Sequence, residues 1–329
     1  MRGSRAAVAV AVAAMVASLT AACSDPEHDG VVADARPAQV AGMDLWAQLP
    51  TGRVTVTVGD PVRTIPGDEV AGGKAIDAAG DREFRPVRVA YVDLEGAPAS
   101  APQDPSVDPA ELTTLTLHVG DGAYRLPFSG TGEASYLEVA KTSGADFALD
   151  VEFDGVVQSV DAAGNRETGA AAGLYDAGTG LDLASCGEQE EDTPAGVDPA
   201  SVRTCRYDLW EYPYVEGLGW ASARDPEATW VVATAQTWLR ADQIQVDGRP
   251  CRAAAMGGTL RVRVDGQPQT AELPVDANRR AGGHGLGARG AFLLPAADQH
   301  ELEVTSTWGC RLGDRSEDVE MVDRVSAPS

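Results

Sequence analysis

Seven aromatic side chains crowd one stretch of the chain: Tyr207, Trp210, Tyr212, Tyr214, Trp220, Trp230 and Trp238. Alternate residues of an extended segment share a face, so Trp210, Tyr212 and Tyr214 would form a row of rings. Such a row can stack on sugars or on a partner's surface, and it can equally be domain core or an inter-domain contact. Pro213, inside the row, marks a sheet edge. A second candidate runs from Asn278 to Gly290, the one basic, glycine-dense segment of an acidic chain. Its glycines would let backbone amides approach an anion, and Arg279, Arg280 and Arg289 could pair with carboxylate or phosphate. It lacks the strand–loop–helix setting of a nucleotide loop, so a surface loop between strands is the competing account.

Acids offer a third kind of chemistry. Asp150, Glu152 and Asp154 alternate with Leu149, Val151 and Phe153. Oxygen ligands on one strand face suit Ca²⁺, but the solvated side of an amphipathic strand explains them more simply. The run Glu188 to Asp192 reads as a solvated loop, and neither a metal site nor a cofactor is expected. Catalytic signatures are missing: there is no Gly-x-Ser-x-Gly elbow, His-Glu-x-x-His pair or Ser-x-x-Lys motif. The histidines His28, His118, His284 and His300 are scattered along the chain. Paired carboxylates for glycoside hydrolysis are set by space rather than by spacing, which keeps an extracytoplasmic hydrolase as an alternative. The leading expectation is a non-enzymatic binding or structural role. Capture of a small ligand is a further alternative, disfavoured by the lack of alternating strand and helix patterns.

Charge narrows the partners. Asp and Glu number 50 against 26 Lys and Arg, a net charge of −24. A chain this acidic is unsuited to nucleic acid, which needs clustered bases, and is not drawn electrostatically to anionic lipid. Of five cysteines, Cys186, Cys205, Cys251 and Cys310 form an even set once Cys23 is set aside. Four cysteines allow three pairings. Cys186–Cys205 and Cys251–Cys310 are expected, because the first pair brackets a loop rich in acid, Pro and Gly. No Cys-x-x-Cys or Cys/His spacing favours zinc.

The elements that must position these residues are strands. Arg53–Val58, Pro86–Leu94, Thr114–Val119 and Leu149–Phe153 alternate apolar and polar residues. Gly120-Asp121-Gly122, Asp154-Gly155 and Asp265-Gly266 each separate two such runs, the signature of a hairpin. The third hairpin would pair Thr259–Val264 with Gln269–Leu273. Helical periodicity is confined to Pro109–Leu112 and Pro199–Val202, each long enough for a single turn.

The pattern occurs twice. Thr114–Val119, its Gly/Asp turn and Leu126-Pro127 match Thr259–Val264, its Asp-Gly turn and Leu273-Pro274. Tyr136–Val139 and Leu149–Val151 match Phe292–Pro295 and Leu302–Val304, and Val87–Leu94 upstream matches Thr229–Leu239. The expected fold is all-β: two tandem immunoglobulin-like β-sandwich domains, broadly defined, built by internal duplication. The first would span residues 44–165, a linker 166–182, and a disulfide-stapled second domain 183–329.

Ahead of them stands a leader. Two arginines, Arg2 and Arg5, precede an apolar run from Ala6 to Ala22 that is marginal for spanning a hydrocarbon core of roughly 30 Å. Its last residues, Leu19-Thr20-Ala21-Ala22-Cys23, resemble the lipobox of bacterial lipoprotein signals, with Thr20 where Leu is usual and Leu19 one place earlier. The resemblance implies cleavage of residues 1–22 and lipidation of Cys23. It also implies attachment to the extracytoplasmic face of the cell membrane through the lipid anchor. Residues 23–43 would then be lipidated Cys and flexible tether. The high Ala, Gly, Asp, Val and Arg content resembles that of exported proteins of high-GC actinobacteria. The partner would be an envelope protein or glycan that no residue names.

Overall fold

The computed structural model describes residues 30–93, 108–130, 132–141, 146–176, 183–186, 203–239, 245–246, 249–250, 258–273, 284–312 and 314–328. Chain order begins with β1 (Gly42–Leu49), β2 (Gly52–Gly59), a small ribbon of β3 (Thr64–Ile65) and β4 (Ile76–Asp77), and β5 (Arg82–Asp93). One helical turn, α1 (Pro109–Leu112), leads into β6 (Thr113–Val119) and β7 (Gly122–Leu126). Next come β8 (Glu133–Ala140), β9 (Phe147–Phe153), β10 (Val156–Asp161), β11 (Arg166–Glu167) and a second turn, α2 (Gly173–Asp176).

The later half opens with β12 (Ala184–Ser185), β13 (Arg203–Tyr212), β14 (Tyr214–Val215), β15 (Gly219–Trp220) and β16 (Ala228–Leu239). Short strands β17 (Gln245–Val246) and β18 (Arg249–Pro250) precede β19 (Gly258–Val264), β20 (Gln267–Pro268) and β21 (Ala271–Glu272). The last three strands are long: β22 (His284–Pro295), β23 (Gln299–Leu312) and β24 (Arg315–Pro328). Among the described residues no helix is long and apolar enough to cross a membrane.

The fold is all-β, as the alternation predicts. In the first domain a sheet of order β1-β2-β5-β8 packs on one of order β11-β10-β9-β6-β7. In the second, β12-β13-β16-β22-β21 packs on β20-β19-β23-β24. The strand orders correspond: β1-β2-β5-β8 maps to β12-β13-β16-β22, and β10-β9-β6-β7 maps to β24-β23-β19-β20. The likeness to immunoglobulin domains lies in the two-sheet sandwich rather than in strand order, since three successive strands here form a meander in one sheet.

Period-two patterning places the core. Val54, Val56 and Val58 of β2 face inward, as do Leu149, Val151 and Phe153 of β9. Asp154-Gly155 and Asp265-Gly266 turn with positive φ at both central residues (46° and 79°, 50° and 71°), the backbone that two-residue hairpins favour. The Asp108 side chain caps α1 through the amide of Ala110 at 2.9 Å, which explains the single helical turn at Pro109.

Several boundaries differ from expectation. Residues 30–39 are no free tether: Ala35 is buried and bridges Val70, while Val31 bridges Leu137. Ala35, Ile65, Ala78, Phe84 and Tyr136 make a small core of their own, and short apolar residues suffice to hold the segment there. Strand β1 already begins at Gly42, inside the expected tether. The expected linker is also structured, because β11 pairs with β10 and Ala171 and Leu174 enter the first core. The arm Gln269–Leu273 does not pair with Thr259–Val264: Gln267–Pro268 of β20 closes that hairpin, and β21 crosses to pair β22 in the opposite sheet. Pro199–Val202 lies outside the described residues.

Candidate functional site

The aromatic row is the seam between the domains. Strand β13 puts Cys205, Tyr207 and Leu209 into the second core, and its other face turns Trp210 and Tyr212 onto the first. Tyr212, Tyr214 and Trp220 are buried members of the first domain's core cluster, and Trp210 is half-buried against it. Tyr212 donates its hydroxyl to the Pro50 carbonyl at 3.0 Å, and the Trp220 indole donates to the Phe153 carbonyl at 3.0 Å. Phe153 meets Tyr214 and Trp220 edge-to-face, with ring centres 5.3 and 6.3 Å apart. Burial pushes the Tyr214 hydroxyl well up, and Asp154, its hydrogen-bond partner, adds to the rise. These rings are therefore covered by protein on both sides.

The basic, glycine-dense segment is not wholly a loop. Its residues from His284 to Gly290 form the first half of β22, and there Arg289 stands half-buried in register with Thr234, itself opposite Asp208. Burial raises the Asp208 pKa and the Arg289 charge pulls against it, so this arginine serves a buried acid. Arg279 and Arg280 lie outside the described residues, as do Cys23, Cys251 and Glu188–Asp192.

Two histidines gather acids around them. His300 is buried, with Nδ1 2.7 Å from Asp265 Oδ2 and Nε2 2.9 Å from Glu211 Oε1. Both carboxylates are themselves anchored, taking the amides of Glu301 and Ala297 at 2.8 Å each. With both nitrogens occupied the ring braces the Asp265-Gly266 turn against the end of β13, and has no lone pair to offer a substrate. His118 Nε2 lies 2.8 Å from Asp150 Oδ2, and Ser159 donates to Asp150 Oδ1 at 2.6 Å. The acid stands in the middle here. A serine nucleophile needs the imidazole beside it, so these three residues cross-link β6, β9 and β10 instead. Glu152 and Asp154 are exposed beyond them.

Cys186 and Cys205 are disulfide-bonded, as expected from the sequence. Cys186, Cys205 and Asp323 bring three ligand-type atoms together, yet sulfurs bonded to one another offer no thiolate to a metal. Cys310 is also disulfide-bonded.

One constellation escaped the sequence reading. At the edge where the sheets of the first domain meet, Trp46 of β1 lies under two guanidinium groups. Arg166 stands 3.8 Å and Arg53 4.4 Å from its ring centre. Tyr175, following the turn into α2, lies 5.8 Å from Trp46 and the same distance from Arg166. Hairpin register sets Arg53, since Gln48 faces Arg53 and Trp46 faces Thr55 across β1 and β2. The Asp161 carboxylate sets Arg166 by accepting the amides of Ala163 and Asn165 at 2.9 and 2.8 Å, which shapes the β10–β11 turn. The Asn165 side-chain amide, donating to Asp161 Oδ2 at 2.7 Å, and those backbone bonds hold Asp161 below the usual carboxylate range.

Behind the stack runs a buried polar ladder. The Tyr175 hydroxyl donates to Gln158 Oε1 at 2.7 Å and accepts the Gln48 amide at 3.1 Å. Gln158 Nε2 donates to the Gln48 carbonyl at 2.8 Å, and Gln48 Nε2 to the Gly52 carbonyl at 3.0 Å. Burial raises the Tyr175 pKa, while the Gln48 amide and the two arginines oppose the shift. Neither Arg53 nor Arg166 has an ion pair or hydrogen bond with a carboxylate among the described residues.

These features define a tandem antiparallel β-sandwich protein with an aromatic seam and a guanidinium–indole stack. No family model matches the chain, and neither does any curated protein or any solved structure.

Proposed function

We propose that the chain is a surface-anchored lipoprotein with a binding role at the cell envelope, held to the extracytoplasmic membrane face through Cys23. Its two sandwiches are copies of one ancestral unit, a reading supported by their matching strand orders. A non-enzymatic role is supported by the geometry at His118 and His300. Both imidazoles are committed to acids that tie strands together, so the polar clusters reinforce a scaffold. The disulfide at Cys186 suits an oxidising location outside the cytosol, and the same setting favours pairing of Cys251 with Cys310.

Metabolic labelling with a clickable fatty acid tests the anchor. The wild-type chain takes up label and sediments with membranes, whereas Cys23→Ser takes up none and appears in the medium. Persistent membrane retention of unlabelled Cys23→Ser would overturn the assignment. Crosslinking on intact cells then recovers the envelope component bound.

A further inference from the structure

We infer that Trp46, Arg53 and Arg166 form an oxyanion-binding site for a carboxylate or phosphate group carried by the envelope ligand. The inference deepens the binding reading above by naming the ligand's chemistry.

Three observations carry it. First, among the described residues neither guanidinium has a carboxylate partner, in a chain where acids outnumber bases 50 to 26. Arg82, by contrast, pairs with Glu138 at 3.1 Å and Arg324 with Glu303 at 3.1 Å. Arg53 and Arg166 rest on indole instead. Second, a guanidinium packed over an aromatic ring keeps its N–H fork at the rim of the stack, where a planar oxyanion can accept two bonds from it. Third, the site is pre-organised. The indole, the Asp161 turn and the ladder of Tyr175, Gln158 and Gln48 hold the rings and one arginine in place before any ligand arrives, which reduces the ordering cost of binding.

Net charge limits the ligand. A protein at −24 repels a dense polyanion at long range, so the site suits an isolated anionic group on an otherwise neutral body. Lysine at these positions would supply charge without the stack or the fork, which is why two arginines are informative.

The test uses the full exported chain in detergent, labelled with 5-fluorotryptophan, the Trp46 resonance being identified by its loss in Trp46→Phe. Acetate and methyl phosphate are titrated separately at constant ionic strength. A saturable shift of the Trp46 signal is expected, with half-saturation at about 1–10 mM, the weak affinity of a small fragment. Tighter binding of methyl phosphate assigns the ligand group as phosphate, and tighter binding of acetate assigns it as carboxylate. Arg53→Gln should weaken the better anion about tenfold, the loss of a charge-assisted hydrogen bond. Arg166→Gln should do the same, with a thermal melt to confirm folding. Because Arg53 is exposed, its replacement keeps the test valid if Arg166→Gln unfolds. Shifts that fail to saturate for both anions, or that are unchanged in Arg53→Gln, overturn the site. They leave the lipid anchor untouched, since Cys23 labelling is measured separately.

Discussion

The Tyr212 hydroxyl of the second domain donates to the Pro50 carbonyl of the first at 3.0 Å, across 162 residues of sequence. The bond fastens the β1–β2 hairpin tip to β13, and the Trp220–Phe153 bond fastens the β9–β10 tip to β15. Two turns of one sandwich are thus seated on a strand and a hairpin of the other.

That seam should be a stability element. Tyr212→Phe removes one buried hydrogen bond and should cost about 1 kcal/mol. Trp220→Ala should cost about 3–5 kcal/mol and split denaturant unfolding into two transitions, as the domains lose their common core. A single transition with unchanged midpoint in Trp220→Ala would mean that the rings are not shared packing.

His300 gives a pH dependence of defined sign. Burial, the largest influence, disfavours its charged form, but the hydrogen bonds and charges of Asp265 and Glu211 together outweigh it and raise the pKa. A histidine that binds its proton more tightly when folded stabilises fully below its unfolded pKa of about 6.5 and loses that contribution as pH rises through the folded value. The stability gap between wild type and His300→Gln should therefore be largest at mildly acidic pH and narrow as pH increases. Chemical unfolding at a series of pH values measures it; a gap that widens with pH would refute the clamp.

The Cys186–Cys205 disulfide, with a separation of 19 residues, ties β12 to β13. Replacing both cysteines by Ser should lower stability by roughly 3 kcal/mol in the chain-entropy account. Comparing this variant with wild type under non-reducing conditions isolates the effect, and equal unfolding midpoints would contradict it.

Glu83 and Arg85 form a buried ion pair at 3.0 Å with side chains only 7% and 8% exposed, and Arg85 also lies over Phe147. Glu83→Gln strands the guanidinium charge in the interior and should cost about 3–5 kcal/mol. Restoring neutrality with Arg85→Met in the same chain should recover part of the loss. No recovery in the double variant would show that the pair is not energetically coupled.

Local patterns were legible and tertiary closures were not. Val54, Val56 and Val58 announce their face by alternation, and the Asp-Gly turns announce both of their hairpins. Ala35 and Val31 left no such mark, because each is held by a single distant bridge with no periodicity around it. Alternation in Trp210 and Tyr212 shows that they share a face but not that another domain covers it. The stack is half-legible: the β1–β2 hairpin places Arg53 beside Trp46, whereas Arg166 and Tyr175 arrive from a different sheet edge over a hundred residues later.

The seam also orders events in time. Tyr212, Tyr214 and Trp220 complete a core whose other members all precede them in the chain. The first sandwich therefore emerges during synthesis without its aromatic lid and stays loosely packed until the second half is made. Late closure of this kind keeps a nascent chain pliant, as the export proposed above would require.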